Sequence, residues 1–148
     1  MTAKIIRTYL DTGVLIRAFQ VGAKTKDRAS DIISDDNREF VVSDVLKLEL
    51  IPKASFHKQE EEVAFYQAFF KNAADQIEIS PALVAKAIDL ASQYDLAPCD
   101  ALHLSAAIDA QVDEFITTEK PTKPFFRVES LNFKIISLYV PPSQSDES

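Results

Sequence analysis

Residues 5–19 read IIRTYLDTGVLIRAF, and the change of character at Asp11 decides the fold class. Residues 5–10 are mostly apolar and rich in β-branched and aromatic side chains, the signature of a buried strand. Residues 12–19 carry apolar side chains at helical spacing. A fully buried strand that runs straight into a helix is the building unit of a parallel sheet, because parallel neighbours need a crossover between them.

The unit recurs outward from this stretch. FVVS at residues 40–43 is a second strand, and Ser43 or Asp44 supplies the N-cap of a helix carrying Val45, Leu46, Leu48, Glu49 and Leu50. Pro52 makes continuation of that helix costly, since it lacks an N–H and crowds the preceding turn. Residues 26–34 form a polar helix with Ile32 and Ile33 turned inward, ended by the turn at residues 35–37. An amphipathic helix covers residues 57–73, with Glu60, Glu61 and Glu62 solvated and Val63, Phe65, Tyr66, Phe69 and Phe70 facing the core. Residues 77–79 form a short strand. Ser80-Pro81 opens a helix over residues 82–94, and Pro98 opens another over residues 99–112. EFITT at residues 114–118 and IISL at residues 135–138 are the last two strands, separated by a loop rich in Lys and Pro.

The expected architecture is α/β, a central, mostly parallel sheet flanked by helices. One domain is expected over residues 1–140, followed by a polar tail at residues 141–148 whose Pro- and Ser-rich composition favours disorder. The chain has 148 residues, the size of one compact domain, and no repeat or linker divides it. Two glycines are too few for the many tight turns of an all-β protein. A single cysteine, Cys99, excludes an intrachain disulfide and suits a reducing, cytoplasmic setting. The N-terminus lacks the features of a signal peptide, and no run is long and apolar enough to span a membrane. A net charge of −7 argues against a protein that coats nucleic acid through a basic surface, yet it is compatible with a cluster of acids that binds cations.

In parallel sheets ligands gather beyond the carboxyl ends of the strands. Polar residues stand there: Asp11-Thr12, Ser43-Asp44 and Thr117-Thr118-Glu119. Four acids from four segments lie at apolar boundaries. Asp11 follows a buried strand, Glu49 sits among leucines, Asp100 opens the apolar helix DALHLSAAI, and Glu119 ends a strand. Each has an ordinary reading: Asp11 as a helix cap, Glu49 on a solvated face, Asp100 favouring a helix N-terminus, Glu119 as a loop acid. Taken together they match the hard oxygen ligands that Mg²⁺ or Mn²⁺ requires, and one or two such ions suit in-line hydrolysis of a phosphodiester.

The motifs at these acids resemble those of the PIN-domain family. YLDTGVLI at residues 9–16 is similar to the family's opening motif, SDVLKLEL at residues 43–50 to its second, PCDALHLSAA at residues 98–107 to its third and EFITTE at residues 114–119 to its fourth. The resemblance runs from Thr8 to about Phe126. It implies a three-layer fold and a metal-dependent endoribonuclease in which Asp11, Glu49, Asp100 and Glu119 hold Mg²⁺ or Mn²⁺. It also implies that Thr117 orients water or phosphate and that Thr12 is a supporting hydroxyl. Glu119 departs from the pattern, since the family more often has Asp there. Among relatives are VapC-like toxins, so the implied partners are RNA, a small antitoxin and a second copy of the chain in a homodimer. No membrane partner is expected.

Other residues fill out the expected site. His103 lies one turn after Asp100 and is read as a packed or supporting histidine. Cys99 has no evident histidine partner and is read as a small helix residue. KPTKPFFR at residues 120–127 brings cations and two Phe, from which Lys123 and Arg127 are candidate RNA contacts, as are Thr12 and Ser43. Phe125 is expected to plug the core. The alternative within the family is an inactive PIN-like scaffold that binds RNA or protein. Haloacid-type phosphatases are excluded because Gly13 stands where a second Asp is needed, and receiver domains because RTYLDTG offers no acid pair.

Overall fold

The apolar run ending at Leu10 is the central strand of a five-stranded sheet in the computed structural model, which describes residues 4–22 and 26–141. The strands are β1 (Ile6–Leu10), β2 (Arg38–Ser43), β3 (Asp75–Ile77), β4 (Glu114–Thr117) and β5 (Lys134–Ser137), in the order β3-β2-β1-β4-β5. Every pairing is parallel, with Thr8 opposite both Phe40 and Glu114. The sheet is thus wholly parallel rather than mostly so.

Six α-helices connect the strands among the described residues: α1 (Thr12–Val21), α2 (Arg28–Ile33), α3 (Asp44–Phe56), α4 (Glu60–Lys71), α5 (Pro81–Tyr94) and α6 (Pro98–Asp109). A 3-10 turn at Pro124–Arg127 precedes β5. Right-handed crossovers put α1–α4 on one face while the chain moves from β1 to β3, and α5 and α6 on the other when it returns to β4. Within the two faces α1 packs on α2, α3 and α4, and α6 packs on α5 and the 3-10 turn, while α3 also meets α6. Tyr9 lies at the centre of the core, stacked on Phe115 at 5.4 Å, and Phe125 is buried beside Phe115 as its plug reading requires.

Three element boundaries differ from the sequence expectation, each for a local reason. α3 runs through Pro52 to Phe56. Pro52 removes the bond to the Leu48 carbonyl, but both residues lie on the exposed side of the helix, where water can satisfy that oxygen. The next helix starts at Glu60, because His57 is the C-cap of α3 and Lys58 takes a left-handed φ of 56° to reverse the chain. β3 ends at Ile77 instead of beginning there, since the chain leaves the sheet toward the Ser80 cap and the Ile79 N–H is taken by the Asp44 carboxylate at 3.1 Å. No helix is long and apolar enough to cross a membrane among the described residues. Most of the tail expected to be disordered, residues 142–148, lies outside the described residues.

Candidate active site

The chain adds β2 and β3 on one side of β1 and β4 and β5 on the other, so a crevice opens between the carboxyl ends of β1 and β4. Asp11 and Thr117 stand on its two walls. Asp11 caps α1, its Oδ1 accepting the Thr12 N–H at 2.8 Å, while Oδ2 accepts the Thr117 hydroxyl at 2.9 Å. Its side chain is buried, so a carboxylate there needs compensating charge or donors. Gly13 allows this approach: a Cβ at that position would meet Thr118 Oγ1 at 2.2 Å. The ordinary reading of Asp11 as a cap therefore holds for one oxygen, while the other is held by Thr117.

Glu49 reaches the crevice from α3. Its Oε1 accepts the Thr12 hydroxyl at 2.7 Å and is also hydrogen-bonded to His103 Nε2. The His103 bond holds the Glu49 carboxyl below the usual carboxylate range, with burial opposing and the Thr12 bond adding to the effect. His103 Nε2 lies 3.7 Å from Asp11 Oδ1, so this ring stands between the two acids.

Asp100 occupies the first turn of α6, and Glu119 follows β4. Lys123 Nζ is 3.4 Å from Asp100 Oδ2 and 3.9 Å from Glu119 Oε1, which ties the second pair of acids together. Cys99 links the pairs. Burial raises its thiol pKa first, and the charges of Glu49, Asp100 and Asp11 raise it further, so all three carboxylates act on one sulfur. A thiol held protonated this way is a poor nucleophile, in keeping with its reading as a helix residue.

The sequence-derived candidates divide into three groups. Asp11 and Glu49 lie together about Thr12 and His103, and Asp100 and Glu119 lie together about Lys123. Thr117 and Ser43 do not face a substrate. Thr117 is fully buried, its hydroxyl donating to Asp11 and accepting the Glu119 N–H at 3.1 Å. Ser43 is 1% exposed, accepts the Leu46 N–H at 3.3 Å as the cap of α3 and bonds the Tyr9 hydroxyl. Both expectations of direct substrate contact give way to support of an acid or a helix. Arg127 is exposed on the 3-10 turn and makes no ion pair or hydrogen bond among the described residues. Sequence reasoning passed over Tyr9, whose buried phenol, its pKa raised well above normal by burial, bonds both Ser43 and His103. The available signal was a hydroxyl-bearing ring two residues before Asp11, on the same face of an extended chain.

Among the described residues no three His, Cys, Asp or Glu side chains form a ready-made metal cage. The donor set nonetheless fits a hard divalent cation. Its ligands are carboxylate oxygens, Mg²⁺ keeps several waters and needs only one or two carboxylates, and an ammonium already sits between Asp100 and Glu119.

A family model described as PIN domain matches residues 8–120. No curated protein matches the chain. Solved structures do. A VapBC2 structure from Rickettsia felis, bound to a DNA fragment from its promoter, superposes with a TM-score of 0.67 at 19% identity, covering 88% of this chain and 97% of that one. DNA-bound VapBC from Salmonella typhimurium gives 0.66 at 15% identity, with coverage of 88% and 97%. A toxin–antitoxin complex from Klebsiella pneumoniae gives 0.62 at 20% identity, with 86% and 99% covered. At such identities the likeness is one of fold.

Proposed function

The chain belongs to the PIN-domain family, and from that membership we propose that it is a divalent-metal-dependent endoribonuclease, the toxin of a toxin–antitoxin pair. The observation that carries this reading is the pairing of Asp11 with Glu49 through His103 and of Asp100 with Glu119 through Lys123. These four would hold Mg²⁺ or Mn²⁺. A bound divalent ion supplies Lewis acidity toward a phosphoryl oxygen and lowers the pKa of water. The chain's own groups place the reactants: Thr117 fixes Asp11, and Thr12 and His103 fix Glu49. Lys123, one-third exposed at the rim, and Arg127 beyond it are the cations for RNA phosphates. A single nuclease domain over residues 1–140 is part of the same proposal.

Two partners accompany it. A groove of about 320 Å³ runs from Glu49 between α1, α3 and α4, with Ile16, Leu50 and Tyr66 along it and Glu62 in its wall. An apolar segment with a basic residue, as an antitoxin would supply, complements that surface. A homodimer would cover Leu48 and Phe56 on α3 and Ile88 on α5, which are 68%, 81% and 59% exposed. Support for the toxin assignment comes from the toxin–antitoxin neighbours.

The test is cleavage of a labelled structured RNA by purified protein in Mg²⁺ or Mn²⁺ against EDTA. Metal-dependent cutting that falls about a hundredfold or more in both Asp11→Asn and Asp100→Asn is the expected result. No cutting of several RNAs, with RNA binding retained in both variants, would put the scaffold reading first. Lys123 would then be the permanent counter-ion of Asp100 and Glu119.

A further inference from the structure

Three buried polar side chains lie in line beneath Glu49. Tyr9, Ser43 and His103 are 0%, 1% and 2% exposed. The Tyr9 hydroxyl is 2.7 Å from Ser43 Oγ and 2.6 Å from His103 Nδ1, and the other ring nitrogen of His103 meets Glu49 Oε1. The proton positions follow from what each group can do. A carboxylate only accepts, so the hydrogen between His103 and Glu49 is on Nε2. In the tautomer with hydrogen on Nε2 alone, Nδ1 is an acceptor that the Tyr9 O–H can fill. The Tyr9 oxygen is free to accept from the Ser43 hydroxyl, and Ser43 Oγ accepts the Leu46 N–H. Each donor in the row has one acceptor.

The row starts at the first turn of α3 and ends on Glu49 of the same helix, passing through β1 and α6. It forms a closed brace. Thr12 Oγ1 donates to the same oxygen, Oε1, so two donors from different elements fix one side of the carboxylate. That leaves the orientation of the second oxygen determined by the fold rather than by the three free torsions of a Glu side chain.

We propose that His103, set by the Tyr9 hydroxyl in the Nε2–H form, is the positioning residue that aims Glu49 at the cation site. The inference rests on the reading of Glu49 as a metal ligand and names what makes it one. Packing alone would be served as well by an apolar side chain of similar size, so substitutions that keep or remove the donor separate the two roles. The amide nitrogen of a glutamine reaches close to the position of Nε2, whereas leucine fills the space without a donor.

The experiment is calorimetric titration of the full chain with Mn²⁺, together with nitrogen NMR of the His103 ring in metal-free protein. Mn²⁺ affinity should fall about tenfold or more in His103→Leu and by no more than about threefold in His103→Gln, with both folded by circular dichroism. The ring should show hydrogen on Nε2 and none on Nδ1, a pattern that loosens in Tyr9→Phe. Equal losses in the leucine and glutamine variants, or wild-type affinity in folded His103→Leu, would overturn the positioning role while wild-type Mn²⁺ binding left the metal reading intact. Hydrogen on Nδ1 overturns it as well. Wild-type protein that binds no Mn²⁺ overturns the metal reading itself, and the inference with it.

Discussion

Lys123 shares its ammonium between Asp100 and Glu119, and a divalent cation entering there must compete with it. The pair contacts are partly exposed, with Glu119 at 44%, so their worth is at most about 1 kcal/mol, equivalent to about fivefold in affinity. Lys123→Met should therefore tighten Mn²⁺ binding by up to about fivefold in low salt, with the gain shrinking as ionic strength rises. The same variant should raise the KM for RNA. Calorimetry and cleavage kinetics measure both, and unchanged Mn²⁺ affinity would show that Lys123 does not compete. Thr117 poses a different case, because its hydroxyl serves Asp11 and meets no solvent. Thr117→Val leaves Asp11 Oδ2 without that donor and should cost about tenfold or more in kcat with little change in KM, whereas Thr117→Ser should retain most activity. A loss confined to KM would return Thr117 to a substrate-binding role. These two residues mark what was legible at this scale. The four acids could be read from sequence because a charge at an apolar boundary is conspicuous. The partner of a hydroxyl could not, since Thr117 finds Asp11 across 106 residues of chain.

At the level of elements, sequence pattern located each strand and helix to within a few residues, and the misplaced ends fall where a tertiary partner competes with a local rule. Pro52 is the clearest case, a helix breaker carried inside α3. On the exposed side it contributes no buried contact, so Pro52→Ala should restore a backbone bond and stabilise the fold by about 2 kcal/mol, or roughly 4–8 °C in Tm. A thermal melt decides this, and a lower Tm would mean the ring packs usefully. The junction of α1 and α2 holds a second lesson. Asp27 caps α2 by accepting the Ala29 N–H at 3.0 Å and takes Arg17 of α1 at 2.6 Å. The bond from Arg17 holds the Asp27 carboxyl below the usual carboxylate range. A lowered folded pKa gives stability that is present above the unfolded value of about 3.9 and is lost as pH falls through the folded value. Asp27→Asn retains a capping oxygen but has no charge to titrate. The stability gap between wild type and this variant should thus narrow as pH is lowered from 5 toward about 3, as followed by urea unfolding at each pH. A gap that is constant with pH would assign the pair no electrostatic role.

For the whole molecule, the net charge of −7 and the concentration of acids in one crevice work against the metal-free fold. The positions of Asp11 and Glu49 are set by backbone elements, so folding brings like charges together, relieved in part by the Lys123 ammonium and by the hydrogen bond between His103 and Glu49. The sequence showed the acids and their places at the ends of strands and the starts of helices; it did not show how their repulsion is offset, because His103 and Lys123 reach them only through tertiary contacts. Two kinds of cation should then stabilise the protein differently. Monovalent salt screens all the charges and should raise Tm by a few degrees between about 10 and 150 mM. Mn²⁺ bound only at the proposed site of the folded state should, at a hundred times its Kd, add about 2.7 kcal/mol, or roughly 5–10 °C. Asp100→Asn removes one of the repelling charges, so its metal-free form should melt at or above the wild-type temperature while its Mn²⁺-induced rise nearly disappears. Neutralising the solvated Glu60 and Glu61 on α4 should leave the Mn²⁺ response unchanged. If those surface variants lost the response as fully as Asp100→Asn, the ion would be acting on net charge and the crevice would not be its site.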